Sequence, residues 1–279
     1  MTSSPTLTFN DGNTIPQLGY GVWQVEDDVA EKVVRQAFEA GFRHIDTAKI
    51  YGNESGVGRA IASSGLSAEE IFITTKLWNA DQGYESTLAA FEDSMDRLGL
   101  ETLDLYLIHW MQPKQDKYVD TWKALIELQK RGRVKSIGVS NFSIEGLQRL
   151  MDETGVVPAI HQVELHPFFN QSELRAFDAA QGILTQAWSP LGQGGELLEN
   201  ATIAEIAAKH HATPAQVVIA WHLAIGNVVI PKSVTESRIQ ENFAALSVKL
   251  DEADVEAING LDRGAEGRIG PDPAVSDFA

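Results

Sequence analysis

The stretch LDLYLIHWMQPKQDKYVDTWKALIELQKRGRVKSIGVS, residues 103–140, decides the fold. It opens with a β-rich apolar run from Leu103 to His109 and closes with another from Val134 to Ser140. Between them KYVDTWKALIELQK (117–130) is amphipathic and helical, and it stops before Gly132, a usual C-terminal cap. Strand, helix, strand is the unit from which parallel sheets are wound.

The same rhythm runs outward in both directions. Strands are predicted at LGYGV (18–22), RHID (43–46), IFITTK (71–76), AIHQVE (159–164), ILTQAW (183–188) and VVIPK (228–232). Helical stretches such as DVAEKVVRQAFEA (28–40) and SELRAFDAAQ (172–181) lie between, stopping at Gly41 and Gly182 as another does at Gly155. Eight strands alternating with helices and no linker predict an α/β fold, a closed (β/α)8 TIM barrel forming one domain over residues 1–279. A doubly wound open sheet shares that periodicity and is the competitor. An N-terminal β-hairpin is predicted from Leu7 to Ile15, turning at Asn10-Asp11-Gly12. Three helices are additional: Asn200–His210, the stretch from the Thr213-Pro214 cap to Ile225, and Asp251–Asn259. The tail from Asp262 is rich in Gly, Pro and Asp, and reads as irregular.

Composition narrows the function. The 279 residues carry 22 Lys plus Arg against 39 Asp plus Glu, a net charge of −17. Such a surface repels phosphate backbones and anionic lipid, so nucleic acid and membranes are poor partners. An anionic ligand needs local cations, which makes each well-placed Lys or Arg informative. There is no cysteine, which removes disulfides, thiolate chemistry and Cys-ligated metals. Neither a secretory signal nor a membrane-length apolar run is present, which points to a cytoplasmic protein.

In parallel barrels, chemistry sits where strands end. Asp46 closes the second strand, Lys76 the third and His109 the fourth. Taken singly, Asp46 reads as a helix cap, Lys76 as a rim charge and His109 as a core histidine. Together they bring an acid, a cation and an imidazole to one mouth, a proton-transfer set. Tyr51, five residues past Asp46, reaches the same rim. A free phenol titrates near pH 10, and a neighbouring ammonium is expected to lower that value toward a usable general acid. Trp23, Trp78 and Trp110 each follow a strand end, and either pack as ordinary aromatics or line a substrate pocket.

Other motifs lead nowhere. Gly19-Tyr-Gly21 and Gly56-Val-Gly58 lack the third glycine of a dinucleotide fingerprint. In HQVELH (161–166), strand alternation points His161 away from Glu164 and His166, so no metal site is predicted. His210-His211 reads as a solvated helix end.

These residues resemble the aldo-keto reductase family. GFRHIDTAKIYGNESGVG (41–58), with Asp46, Tyr51, Glu54 and Gly58 in register, is similar to its first signature. KSIGVSNF (135–142) and IPKSVTESRIQEN (230–242) are similar to the second and third. The wording near the N-terminus and at SPLGQG (189–194) resembles the bacterial 2,5-diketo-D-gluconate reductase branch. The resemblance implies an NADPH-dependent reductase (NADP+ the product cofactor) of small aldehydes, dicarbonyls or keto sugars, acting as a monomer. It implies that Tyr51 protonates the carbonyl oxygen, Lys76 and Asp46 tune it, and His109 orients the substrate. Ser140, Asn141 and Gln162 would hold the nicotinamide carboxamide, with Trp188 stacked on the ring and Val22 nearby. Ser189, Leu191, Gly192 and Gln193 would approach the pyrophosphate. Lys232, Ser233, Val234, Thr235 and Arg238 would hold the 2′-phosphate end, with Glu241 and Asn242 near the adenine. Thr235 also reads independently as the N-cap of a helix facing a phosphate, with Arg238 one turn on.

The chain departs from the family at His161, where Asn is usual, and at Met111, where Pro is common. The segment 189–200 looks short for a belt over the cofactor. A polar segment after His109 (Gln112–Lys117) and a modest tail imply an open mouth. Two rivals remain: a non-catalytic NADPH-binding accessory or sensor subunit, and an aldolase using Lys76 as a Schiff base. Asp46 opposes the second by keeping Lys76 protonated.

The third signature generates a measurable expectation. NADPH should bind more tightly than NADH, and Arg238→Ala should weaken NADPH binding by about 1.5–3 kcal/mol, one charge-assisted contact. Equal affinities of the intact protein for both dinucleotides, by fluorescence titration, would remove this loop from the 2′-phosphate.

Overall fold

Chain direction and side-chain alternation explain the architecture in a computed structural model, which describes residues 3–278. A hairpin of β1 (Thr6–Thr8) and β2 (Thr14–Pro16) pairs Leu7 with Ile15. Its turn is fixed by Gly12 at φ 89° and by Asp11 accepting from the Asn13 amide. Eight parallel strands follow: β3 (Tyr20–Gly21), β4 (His44–Asp46), β5 (Phe72–Leu77), β6 (Leu103–Ile108), β7 (Val134–Ser140), β8 (Ile160–Glu164), β9 (Leu184–Trp188) and β10 (Val228–Val229). Each pairs with the next in sequence. A parallel bridge from Leu18 to Val229, with the Gly19 amide donating to Val229 O at 2.9 Å, joins first strand to last. Those bonds close the ring and rule out the open-sheet alternative.

Helices α1 (Asp27–Ala40), α2 (Glu54–Ser63), α3 (Tyr84–Leu98), α4 (Tyr118–Lys130), α5 (Ile144–Thr154) and α6 (Ser172–Ala180) form the first part of the outer layer. The rest comprises α7 (Ala201–Lys209), α8 (Pro214–Ala224), α9 (Glu236–Ala244) and α10 (Glu252–Asn259). The additional helices start where sequence places them: Asn200 caps α7, while Thr213 and Asp251 head full capping boxes on α8 and α10. Of the His210-His211 pair, His211 is exposed as expected, whereas His210 is partly covered. Its Nε2 lies 2.6 Å from Asp254 Oδ2, because α10 packs against the end of α7. No helix among the described residues is long and apolar enough to cross a membrane.

Period-2 alternation sorts the strand side chains into two cores. Tyr106 and Ile108 of β6 face out against the helices, while Leu105 and Leu107 face in. The inward set meets Phe9 and Ile15 of the hairpin, which plug the barrel floor. Full burial of each such side chain stabilises by about 1.5–3 kcal/mol. The same inward register, carried to the strand ends, aims Asp46, Lys76, His109, Gln162 and Trp188 at the opposite mouth.

One interior polar residue sets a condition on the fold. His44 is buried with Nε2 3.1 Å from Thr74 Oγ1. Gly19 makes room for it, since a Cβ there would sit 2.4 Å from Nδ1. Burial brings its pKa down to about 3, and His222, buried beneath Pro190, is likewise lowered to about 3. A folded pKa below the unfolded value means the unfolded chain binds more protons between pH 3 and 6.5, so stability falls as pH falls through that window. These two histidines together should cost about 4 kcal/mol of unfolding free energy between pH 8 and pH 5. Urea melts across that range should show the slope, and His222→Gln should flatten it.

Candidate active site

The mouth is built from strand ends, each contributing the residue that alternation turns inward. Lys76 is wholly buried, at 0% exposure, with Asp46 at 2%. Its ammonium donates to Asp46 Oδ1 at 2.5 Å and to Thr47 O at 2.8 Å. Asp46 Oδ2 accepts from Gln162 Nε2 at 2.8 Å. Tyr51 ends a 3-10 turn (Lys49–Tyr51), its ring centroid 5.1 Å from Lys76 Nζ and 5.7 Å from the His109 ring. The three strand-end residues and Tyr51 from the loop after Asp46 therefore converge.

Their electrostatics follow from burial. Burial pushes the Asp46 carboxyl above its ordinary range, against the pull of Lys76. Burial alone would lower Lys76, but Asp46 and Tyr51 outweigh it and hold the ammonium above its ordinary value. His109 is driven well below 6.5, by burial and then by Lys76, so the imidazole is neutral. Its Nδ1 has no partner among the described residues. Tyr51 corrects an expectation: Lys76 does lower the phenol, but burial raises it more, and the net shift is upward. The phenol thus keeps its proton at neutral pH, and Lys76 acts by favouring the phenolate as that proton leaves.

From this pocket a cleft of about 1310 Å³ runs along the mouth. That exceeds the roughly 300–1,000 Å³ of a drug-sized site and suits a long ligand beside a small one. Asn141, Gln162, Trp188, Ser189, Leu191 and Gln193 line it. Lys232, Ser233, Arg238, Glu241 and Asn242 line it too. Lys232 and Arg238 have no carboxylate partner among the described residues, whereas Lys49, Arg59, Arg97 and Arg149 are all paired.

Other expected contacts do not reach the cleft. Val22 is fully buried beneath the rim. Ser140 is buried with its hydroxyl committed to Gln162 O at 2.9 Å. Gly192 turns toward Leu197. Val234 points to solvent at 51% exposure. Thr235 occupies the N-cap of α9 without a side-chain cap bond, and its amide donates to Ser233 Oγ. His161 faces outward, its Nδ1 3.2 Å from Asp178. Glu54 is also turned out, accepting from Thr75 and Arg97. The 189–200 segment folds back in a 3-10 turn with Leu197 buried and Glu196 paired to Arg263. No group of three or more His, Asp or Glu among the described residues is placed to hold a metal.

Around Tyr51 and His109 the cleft differs from the open mouth expected. Trp23, at 44% exposure, Trp78 and Trp110 line it, but the tail returns to meet them. The Phe278 ring lies 5.0 Å from Trp110 and 6.0 Å from Trp78, and its carbonyl accepts from Asn79. Gly270, Pro271 and Phe278 were not legible as site residues, because nothing in an irregular tail shows where it folds. Pro214 and Ala215 were missed too, although the Thr213 cap was plain; only packing shows that this helix start borders the cleft. Met111 is explained by Gly146, where a Cβ would meet its sulfur at 2.2 Å.

With this geometry, a sequence model described as the aldo/keto reductase family matches residues 16–263. An aldo-keto reductase of Mycolicibacterium smegmatis is 54% identical over 275 residues, 99% of each chain. A methylglyoxal reductase DkgA of Salmonella typhimurium is 52% identical over 273 residues, 97% of this chain and 98% of that one. The crystal structure of a Gox0644 mutant in complex with NADPH superposes with a TM-score of 0.95 at 50% identity, covering 99% of this chain and 100% of that one.

The buried pair makes a stability prediction. Lys76→Met should cost about 3–5 kcal/mol, because it strands the Asp46 carboxylate without a counter-charge. Adding Asp46→Asn should restore much of that loss. Thermal melts of the three proteins decide it, and a Lys76→Met protein as stable as the parent would contradict the pairing.

Proposed function

Because the chain belongs to the aldo/keto reductase family, we propose that it is an NADPH-dependent reductase of small aldehydes, dicarbonyls or keto sugars, with Tyr51 as general acid. The supporting observation is one cleft lined both by Tyr51, His109 and Asp46 and by two cations without a carboxylate partner among the described residues, Lys232 and Arg238. Those cations in a protein of net charge −17 suit the phosphate of a dinucleotide, and Asn141 and Gln162 suit its carboxamide. NADPH supplies the hydride when bound. The chain's residues do the rest: the neutral His109 hydrogen-bonds the carbonyl oxygen, Tyr51 delivers a proton to it, and Lys76 stabilises the phenolate left behind. Trp23, Trp78 and Trp110 exclude water from the reacting carbon. We take the whole chain to work as one barrel domain. The Salmonella relative's name, methylglyoxal reductase, makes a 1,2-dicarbonyl the first substrate to try.

The test is loss of nicotinamide absorbance on adding methylglyoxal. Tyr51→Phe should lower kcat by about 10²–10⁴-fold while NADPH affinity stays nearly unchanged. Retention of more than a third of kcat, with hydride transfer rate-limiting, would place the acid elsewhere. Tight NADPH binding without turnover on a broad carbonyl panel would instead favour an accessory subunit.

A further inference from the structure

Glu164 ends β8 at 2% exposure, beside Trp188 in register on β9. It is not one of the proton-donating residues and does not line the cleft. Its two oxygens are nonetheless fully engaged. Oε1 accepts from the Ile269 amide at 2.6 Å and Oε2 from the Gly270 amide at 2.7 Å. His166 Nε2 lies 3.1 Å from Oε1. A desolvated carboxylate gripping two consecutive backbone N–H groups fixes both the place and the orientation of that backbone, and such charge-assisted bonds are stronger than neutral ones.

The segment so gripped matters to both halves of the cleft. At Gly270 the chain presses on the edge of the Trp188 indole, since a Cβ there would sit 2.6 Å from Cη2. Trp188 Nε1 in turn donates to Asn141 Oδ1 at 2.8 Å. Gly270 and Pro271 form cleft wall, and the chain then runs on to Phe278 against Trp78 and Trp110. On the other side, Arg263 stacks 3.7 Å over Phe168 and Arg268 4.7 Å over Phe169. The tail is thus moored at the Phe168–Phe169 turn, at Glu164 and at Asn79. Of these, the Glu164 mooring is the one made by a buried charge.

We propose that Glu164 is a positioning residue that holds the C-terminal tail as a common wall, setting the affinity for the carbonyl compound and the seat of Trp188 together. It touches neither ligand. This deepens the reductase reading and rests on it. A purely structural Glu164 would change stability and leave the two binding constants alone.

Two variants of the full chain test it. Glu164→Gln places an N–H2 group where an amide donor needs an acceptor. Ile269→Pro deletes one donor without touching the barrel, and Arg268 at φ −62°, ψ 133° has a backbone that accepts a following proline. Each should speed hydrogen exchange across residues 270–278. Each should raise the methylglyoxal KM about tenfold, the equivalent of one lost contact of this class, with kcat within about twofold. The NADPH dissociation constant, read by tryptophan quenching, should rise severalfold. The double variant should match the worse single, because both break one mooring. Unchanged exchange in both variants, or faster exchange with KM and NADPH affinity unchanged, overturns the proposal. Should Glu164→Gln not fold, Ile269→Pro gives the same readouts. A parent protein that reduces no carbonyl refutes the reductase reading, while exchange and NADPH affinity still decide the mooring.

Discussion

The interaction on which the site depends is the ion pair between Lys76 and Asp46, held away from water inside the barrel. An ammonium in that position is tolerated because the strands bring its partners into place: Asp46 from β4 and the Thr47 carbonyl just beyond it. A slip of one residue between β4 and β5 would turn Lys76 outward and strand the carboxylate. The second oxygen of Asp46 takes the Gln162 amide from β8, across the mouth. One carboxylate therefore ties three strands together and connects Lys76 with Gln162 across the mouth.

Charge is distributed with the same economy. The protein is strongly acidic, and many of its surface cations pair with a neighbouring carboxylate. Of the described residues, Lys232 and Arg238 are among those that do not, and both line the cleft. In the proposed reading, two unpaired cations in the wall of the groove of an acidic protein would favour a phosphorylated ligand there. Around Tyr51 and His109 the wall is aromatic and, among the described residues, carries no free charge beyond the buried Lys76–Asp46 pair, which suits an uncharged carbonyl group.

Much of this was legible in the sequence, for a physical reason. Strand alternation is rigid, so the residue ending each inward row could be named before any coordinates, and Asp46, Lys76, His109 and Gln162 all face the mouth. Tyr51 was reachable because only five residues separate it from Asp46. Legibility failed where position depends on a loop's own path. Asn141, the first residue past β7, faces the cleft, whereas Ser140, the last residue of the strand, spends its hydroxyl on a strand carbonyl. Val234 and Thr235 lie between Ser233 and Arg238 without sharing their exposure to it. The tail carries no periodicity, so Phe278 and the Glu164 mooring needed the folded chain. The direction of the Tyr51 shift was misjudged because a neighbouring lysine is visible in sequence while the depth of burial is not.

The hairpin plug has a consequence for traffic. With Phe9 and Ile15 filling the floor, the barrel is a blind vessel with one neck, and everything exchanged must pass the same rim. In the proposed reading the dinucleotide lies along that rim, so a small carbonyl compound arriving after it rests on top, and one arriving first obstructs it. The replacement proton for Tyr51 has no back entrance either and must come through the neck once the alcohol has left. Sealing one end thus imposes a queue on a site whose individual groups would allow any order of entry.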